Sequence, residues 1–127
     1  MKLALDTNAY RLVMDGDDRA TQLVQQAARV CLPVPVIAEL RYGFLNGTKG
    51  KRNEAGLTRF LSQPRVEVLV CDDATTHLDA QLKLELKRAG TPIPINDVWI
   101  AALTLQHQAV LLTMDSDFDR LPQVPRA

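Results

Sequence analysis

Short apolar runs alternate along the chain with stretches of helical periodicity. The runs end at polar or turn-forming residues, which is typical of short buried strands. The predicted strands span residues 2–5, 29–32, 66–70 and 109–113, and Val124 is a candidate start for a last edge strand.

Between these runs, apolar residues recur at the spacing of a helix that buries one face. Asp17 or Asp18 is placed to cap the second helix, Asn96 to cap the sixth, and Gly90 to close the fifth. The predicted helices are 7–14, one carrying apolar positions from 20 to 28, 35–45, 53–61, 73–88 and 97–106, with a flexible basic loop at 46–51.

Alternating strands and helices predict the fold class, which is α/β. We expect one three-layer domain over residues 1–127, with a central parallel sheet of four to five short strands flanked by helices. In such sheets, functional sites lie beyond the carboxyl ends of the strands.

Composition and charge limit the possible locations and partners of the protein. No apolar run is long enough to span a bilayer, and Asp6 follows Met1 too closely for a signal peptide, so we expect a cytoplasmic protein with no membrane partner. The 15 basic and 15 acidic residues cancel, so any nucleic-acid contact must be local.

The cysteines and histidines offer no soft metal site. Cys31 and Cys71 lie in apolar, strand-like stretches, and we expect two buried reduced thiols. His77 and His107 are isolated, and no Cys/His spacing suits zinc.

Four acids are placed to converge. Asp6 directly follows the first strand, Asp115 follows the fourth, and Glu39 and Asp97 lie near the starts of helices that follow strands or extended segments. Carboxylates crowded together repel by roughly 3 kcal/mol at ~5 Å and an effective dielectric of about 20, so the cluster calls for cations. Oxygen ligands favour Mg²⁺ or Mn²⁺, one or two ions, and such ions promote phosphodiester hydrolysis.

Structural explanations exist for some of these acids. Asp6 could cap a helix, Asp97 could complement a helix dipole, and Asp115 could be a turn residue, as could Asp117. Glu39 fits none of these explanations, because it lies within an apolar run.

Four segments together resemble the PIN-domain ribonucleases, specifically the VapC-type toxins of prokaryotic toxin–antitoxin pairs. They occur in the family's order and spacing and span nearly the whole chain. The segments are Leu5-Asp6-Thr7-Asn8, Val36–Gly43 with its Glu-Leu-x-x-Gly pattern, Gly90–Ala102 with Asn-Asp-x-x-Ile-Ala-Ala, and Leu112–Phe118.

The resemblance implies that Asp6, Glu39, Asp97 and Asp115 are the catalytic, metal-binding acids, with Asp117 a rival of Asp115. It also implies supporting roles for Thr7, Asn8 and Thr113. The chain departs from the family at Pro33-Val34-Pro35, where a supporting Ser or Thr is common.

The implied reaction is endonucleolytic cleavage of a translation-related RNA, tRNA or rRNA, by metal-activated water, leaving 5′-phosphate and 3′-hydroxyl ends. A cognate antitoxin and a homodimer are also implied. Most of the large apolar residues of the third and fourth helices are expected in the core, but part of their surface could form the groove that an antitoxin segment fills. These residues are Leu40, Phe44, Leu45, Leu57, Phe60 and Leu61.

Four basic residues are candidates for RNA contacts. Arg11 lies one helical turn after Thr7, and Lys49, Lys51 and Arg52 cluster after the Glu39 helix; all four are equally compatible with a solvated surface.

Two alternatives to the toxin remain. A catalytically silent PIN-like module that binds RNA or protein is disfavoured by the retained acids, and a phosphoryl-accepting receiver domain is disfavoured because no acid pair follows the first strand.

Overall fold

A computed structural model describes residues 1–127 and confirms the α/β fold class, with a four-stranded parallel sheet and six helices. The strands are β1 (Lys2–Leu5), β2 (Arg29–Pro33), β3 (Val66–Leu69) and β4 (Val110–Leu112). The helices are α1 (Thr7–Met14), α2 (Asp18–Gln26), α3 (Val34–Asn46), α4 (Gly50–Leu61), α5 (Asp73–Ala89) and α6 (Ile95–Gln106), and a 3₁₀ turn covers Ser116–Arg120.

The sheet order is β3-β2-β1-β4, so β1 lies at its centre. Leu3 of β1 stands opposite Val30 on one side and Val110 on the other. Residues on both faces of β1 and β2 are buried, which explains why these strands are continuous apolar runs rather than alternating ones.

Side-chain caps set several helix starts. Asp17, rather than Asp18, caps α2 by accepting the N–H of Ala20 at 3.0 Å. Asp72 and Thr75 form a capping box at the start of α5, and Gly90 ends that helix with a left-handed φ of 69°, as predicted.

Asn96 does not cap α6, so that prediction was wrong. The helix begins earlier, at Ile95, because Pro94 enters it with φ −55° and ψ 146°. Asn96 therefore lies in the first turn, and its side-chain amide is free for another partner.

Three further predictions need correction. The basic loop is shorter than predicted, because α4 already begins at Gly50 and includes Lys51 and Arg52. Cys31 is buried as expected, but Cys71 is exposed because it follows the end of β3. No fifth strand forms at Val124; the segment contributes a single bridge, between Leu111 and Arg126.

One apolar core of 28 buried residues lies between the sheet and the helices. No helix combines the length and the apolar character needed to cross a membrane.

Candidate active site

The carboxyl ends of β1 and β4 bring Asp6 and Thr113 together. The N–H of Asp6 donates to the carbonyl of Leu112 at 3.3 Å, which ties the two strand ends to each other. Asp6 caps α1 through Oδ1, which accepts the N–H of Ala9 at 2.8 Å, while Oδ2 accepts a hydrogen bond from the Thr113 hydroxyl. Asp6 is thus both a cap and a wall of the site, which the sequence had left as alternatives.

Glu39 reaches the same edge from the middle of α3. The Thr7 hydroxyl donates to its Oε2 at 2.6 Å, and the Asn96 amide donates to its Oε1 at 2.8 Å. Each carboxylate oxygen therefore has one neutral donor, which fixes the plane of the group without supplying a counter-charge.

Asp97, Asp115 and Asp117 form the tightest group of acids. They are half-buried, and one carboxylate oxygen from each lies within 4.8 Å of the other two. Asp115 begins the 3₁₀ turn, where its Oδ1 accepts the N–H of Asp117 at 2.9 Å and its own N–H donates to the Thr113 hydroxyl at 3.0 Å. The turn thus presents both acids to Asp97.

Burial and mutual repulsion raise the pKa of two of these acids. For Asp97 the burial effect is largest, followed by repulsion from Asp115 and Glu39, and together they raise its pKa to about 6. Burial also raises the pKa of Asp6, against the opposing hydrogen bonds from Thr113 and Ala9. The cluster therefore holds its negative charge at a cost, which a cation would relieve.

A cavity of about 410 Å³ opens over the acids. Asp115 lines it but Asp117 does not; instead, Asp117 faces the Arg120 guanidinium at 4.0 Å. This geometry favours Asp115 as the fourth acid of the cavity. The residues lining it are Asp6, Thr7, Asn8, Arg11, Glu39, Tyr42, Gly43, Asp97, Ile100 and Asp115.

Of the four basic residues singled out in the sequence, only Arg11 lies at this cavity. Lys49, Lys51 and Arg52 instead line a separate groove of about 1250 Å³ between α3 and α4. Phe44 and Leu45 line the same groove, and Leu45 is 88% exposed. Leu40 and Leu57 are buried in the core, so they cannot contact a partner there.

Sequence reasoning missed four residues of the site, one of which is Ile100, an apolar residue that lines the cavity. Tyr42 and Gly43 follow Glu39 by three and four positions, a helical spacing that would have placed them on its face. Asn96 was assigned to capping, although its position beside Asp97 was a signal for the site.

The fold and the site define a class of protein: a small parallel α/β protein with carboxylates gathered at the carboxyl edge of its sheet. Comparison with known proteins then identifies the family. The PIN domain model matches residues 3–124. Ribonuclease VapC5 of Mycobacterium tuberculosis is 31% identical over 117 residues, which cover 92% of this chain and 85% of the relative.

Two further similarities extend over the whole length. The tRNA(fMet)-specific endonuclease VapC of Salmonella typhimurium is 28% identical and covers 98% of this chain and 95% of its own. The structure of VapBC2 from Rickettsia felis, bound to a promoter DNA fragment, has a TM-score of 0.89 at 27% identity and covers 100% of this chain and 98% of that one. The chain belongs to the PIN-domain family and, within it, to the VapC ribonucleases, and it is a nuclease.

Proposed function

We propose that the chain is a divalent-metal-dependent endoribonuclease, the toxin of a toxin–antitoxin pair, and that Asp6, Glu39, Asp97 and Asp115 are its catalytic acids. The observation that carries the proposal is their convergence on one cavity, with the pKa of Asp97 raised to about 6 by burial and by its neighbours. Acids whose pKa is raised by burial and by one another, and which line one cavity, are characteristic of functional sites.

The donor set fits Mg²⁺ or Mn²⁺, one or two ions. Every ligand candidate is a carboxylate oxygen, and neither a histidine nor a cysteine lines the cavity. Asp97, Asp115, Asp6 and Glu39 would hold the ions, with Asp117 beside them. When bound, a divalent cation lowers the pKa of water and neutralises charge that develops on a phosphate.

The neutral residues around the acids set their positions. Thr7 and Asn96 hold the two oxygens of Glu39, and Thr113 links Asp6 to the backbone of Asp115. Because the acids are pre-positioned, they need little rearrangement to orient a water molecule in line with a phosphodiester. Asn8 lines the cavity and would contact the substrate or that water.

The proposed substrate is a translation-related RNA, tRNA or rRNA, cut to leave 5′-phosphate and 3′-hydroxyl ends. The Salmonella relative, whose name specifies tRNA(fMet), supports tRNA as the first substrate to test. Arg11 is placed to bind a phosphate at the cavity, and Lys49, Lys51 and Arg52 are placed to bind phosphates farther along the strand.

The test compares wild type with Asp97→Asn and with Asp15→Asn, an exposed acid outside the cluster, on total tRNA and on rRNA. Each protein is incubated with Mg²⁺, Mn²⁺ or EDTA, and circular dichroism confirms folding. We expect wild type and Asp15→Asn to cleave only with metal, and Asp97→Asn to lose at least about 100-fold in rate. A folded wild type that cuts neither RNA with either metal would instead support the silent binding module.

We also propose a cognate antitoxin, a homodimer and a cytoplasmic location. Three VapBC complexes are among the solved structures that this chain resembles over its full length, which supports the antitoxin. The groove between α3 and α4, with exposed Leu45, is where its segment would bind. Light scattering of the chain alone tests the dimer, and a monomer would contradict it. Co-purification with the product of a neighbouring gene tests the antitoxin. A Leu45→Glu variant that still co-purifies would contradict the assignment of the groove.

A further inference from the structure

Tyr42 is the one exposed aromatic side chain of the molecule. The chain has six aromatic residues, and five are buried or half-buried, whereas Tyr42 is 72% exposed. Tyr10 packs edge-on against Phe60, and the Trp99 ring lies under the Lys83 ammonium group. Tyr42 takes part in no such pair, so packing within the chain does not account for it.

This ring lies on the wall of the acid cavity. Glu39 and Tyr42 are three residues apart on α3 and share its face toward the cavity, which both of them line. The base of this wall is fixed by the Thr7–Glu39 hydrogen bond at 2.6 Å. An aromatic ring therefore lies beside carboxylates that would act on a phosphate.

Arg11 adds a positive charge to the same wall. It lies one turn after Thr7 on α1 and lines the cavity with Tyr42 and Gly43. A Cβ at position 43 would lie 3.2 Å from Arg11 Nη2, so glycine allows the guanidinium to lie close against α3. One charged group and one aromatic ring thus flank the acids on a single side.

This pairing matches the two chemical parts of a nucleotide. A guanidinium binds a phosphate through charge-assisted hydrogen bonds, and an aromatic face stacks on a base without needing a particular sequence. We propose that Tyr42 is a stacking platform for the nucleobase next to the scissile phosphate, with Arg11 holding the adjoining phosphate. This inference rests on the proposed ribonuclease function and names how that site would hold its substrate.

Binding is tested in the Asp97→Asn background, where the probe stays intact, by fluorescence anisotropy of a labelled 12-nucleotide oligoadenylate. We expect Tyr42→Leu to raise the Kd by roughly 5- to 150-fold, the range for loss of one base–aromatic stack, and Tyr42→Trp to retain affinity. Leu84→Ala, which trims an exposed apolar side chain on α5, is the matched control and leaves the Kd unchanged.

Salt dependence separates stacking from charge. Tyr42→Leu should weaken binding without changing the slope of log Kd against log salt concentration, whereas Arg11→Gln should reduce that slope by about 0.7. With otherwise wild-type protein and total tRNA, Tyr42→Leu should raise KM while kcat changes little.

The outcomes distinguish this inference from the function on which it rests. If wild type cleaves tRNA, and Tyr42→Leu and Tyr42→Trp both bind oligoadenylate as tightly as Tyr42 does, the stacking role is overturned. If wild type cleaves no RNA, the proposed function fails, and the anisotropy comparison of Tyr42→Leu with Tyr42→Trp still decides whether Tyr42 stacks on a base.

Discussion

At the scale of single residues, the hydroxyl of Thr113 connects the two acids that follow neighbouring strands. It donates to Asp6 and accepts the N–H of Asp115, so it fixes the spacing of a buried carboxylate and a turn. Its donation also lowers the pKa of Asp6, against the larger effect of burial. Loss of this hydroxyl would leave the Asp6 carboxylate with one donor fewer in a site that is 5% exposed.

We therefore expect Thr113→Val to destabilise the fold by about 2 kcal/mol and to slow RNA cleavage by roughly 10- to 100-fold, because a hydrogen bond to a buried charge is lost. Thr113→Ser should restore most of both. Urea unfolding and initial cleavage rates measure the effects. Thr76→Val removes an exposed hydroxyl that bonds only to the carbonyl of Asp73, and an equal loss in that control would refute the assigned role.

The Asp97 carboxyl predicts how stability depends on pH. Its folded-state pKa of about 6 lies above the ordinary value of 3.8, so between these values the folded state binds the proton more tightly than the unfolded state. Without divalent cations, the contribution of Asp97 to stability should therefore fall as pH rises through this window, and stay low above it.

The measurement is urea unfolding in EDTA at about pH 4 and about pH 7.5, comparing wild type with Asp97→Asn. We expect Asp97→Asn to be more stable by about 1 kcal/mol at the higher pH, a figure reduced for the partial exposure of the group, and to lose this advantage at the lower pH. Mg²⁺ should stabilise wild type more than Asp97→Asn. An advantage independent of pH would contradict the burial and repulsion argument.

At the scale of elements, the sequence predicted the order and class of every helix and of all four strands, because apolar periodicity reflects burial and burial sets these elements. It also predicted that Asp6 and Asp115 lie at the same edge of the sheet, because each follows the carboxyl end of a parallel strand. It misplaced the starts of α4 and α6, since those depend on tertiary contacts of Gly50 and on the dihedral angles of Pro94.

Partners across the site were not predictable either. The hydrogen bonds of Glu39 join residues 32 and 57 positions apart along the chain, and no local pattern encodes them. Tyr42 was within reach of prediction, because its spacing from Glu39 is local. The sequence could not separate Asp115 from Asp117, because they differ only in the position of Arg120 and in the shape of the cavity.

The glycines of α4 provide a prediction about how it packs on α3. A Cβ at Gly50 would lie 2.5 Å from the carbonyl oxygen of Phe44, a backbone atom that cannot yield without shifting α3. Gly56, in the same helix, has no atom within 4 Å of such a Cβ. We expect Gly50→Ala to destabilise by about 2 kcal/mol and Gly56→Ala to stabilise by about 0.5–1 kcal/mol. Thermal unfolding of the two variants checks this, and effects of the same sign would refute the close approach.

At the scale of the whole molecule, the net charge of zero is the sum of an acidic region and a basic region. The 15 acidic and 15 basic residues cancel in sum, but acids dominate the 410 Å³ cavity, whereas five of the residues lining the groove between α3 and α4 are basic and one is acidic. The basic ones are Arg41, Lys49, Lys51, Arg52 and Arg59. Long-range attraction of RNA is therefore weak, and binding depends on a few phosphates held near the site.

This arrangement predicts that RNA affinity depends only weakly on salt concentration, and that the dependence comes from a few basic residues near the site. Each phosphate contact with single-stranded RNA contributes about 0.7 to the slope of log affinity against log salt concentration, so Lys51→Gln with Arg52→Gln should reduce the slope by about 1.4 in the Asp97→Asn background. Lys87→Gln with Arg88→Gln, at the end of α5, removes the same charge from an exposed surface outside both cavities and should leave it unchanged. Anisotropy titrations with oligoadenylate over a range of salt concentrations measure both slopes. Equal reductions in the two double variants would mean that RNA responds to net charge alone, and unchanged slopes in both would mean that Lys51 and Arg52 do not contact RNA phosphates.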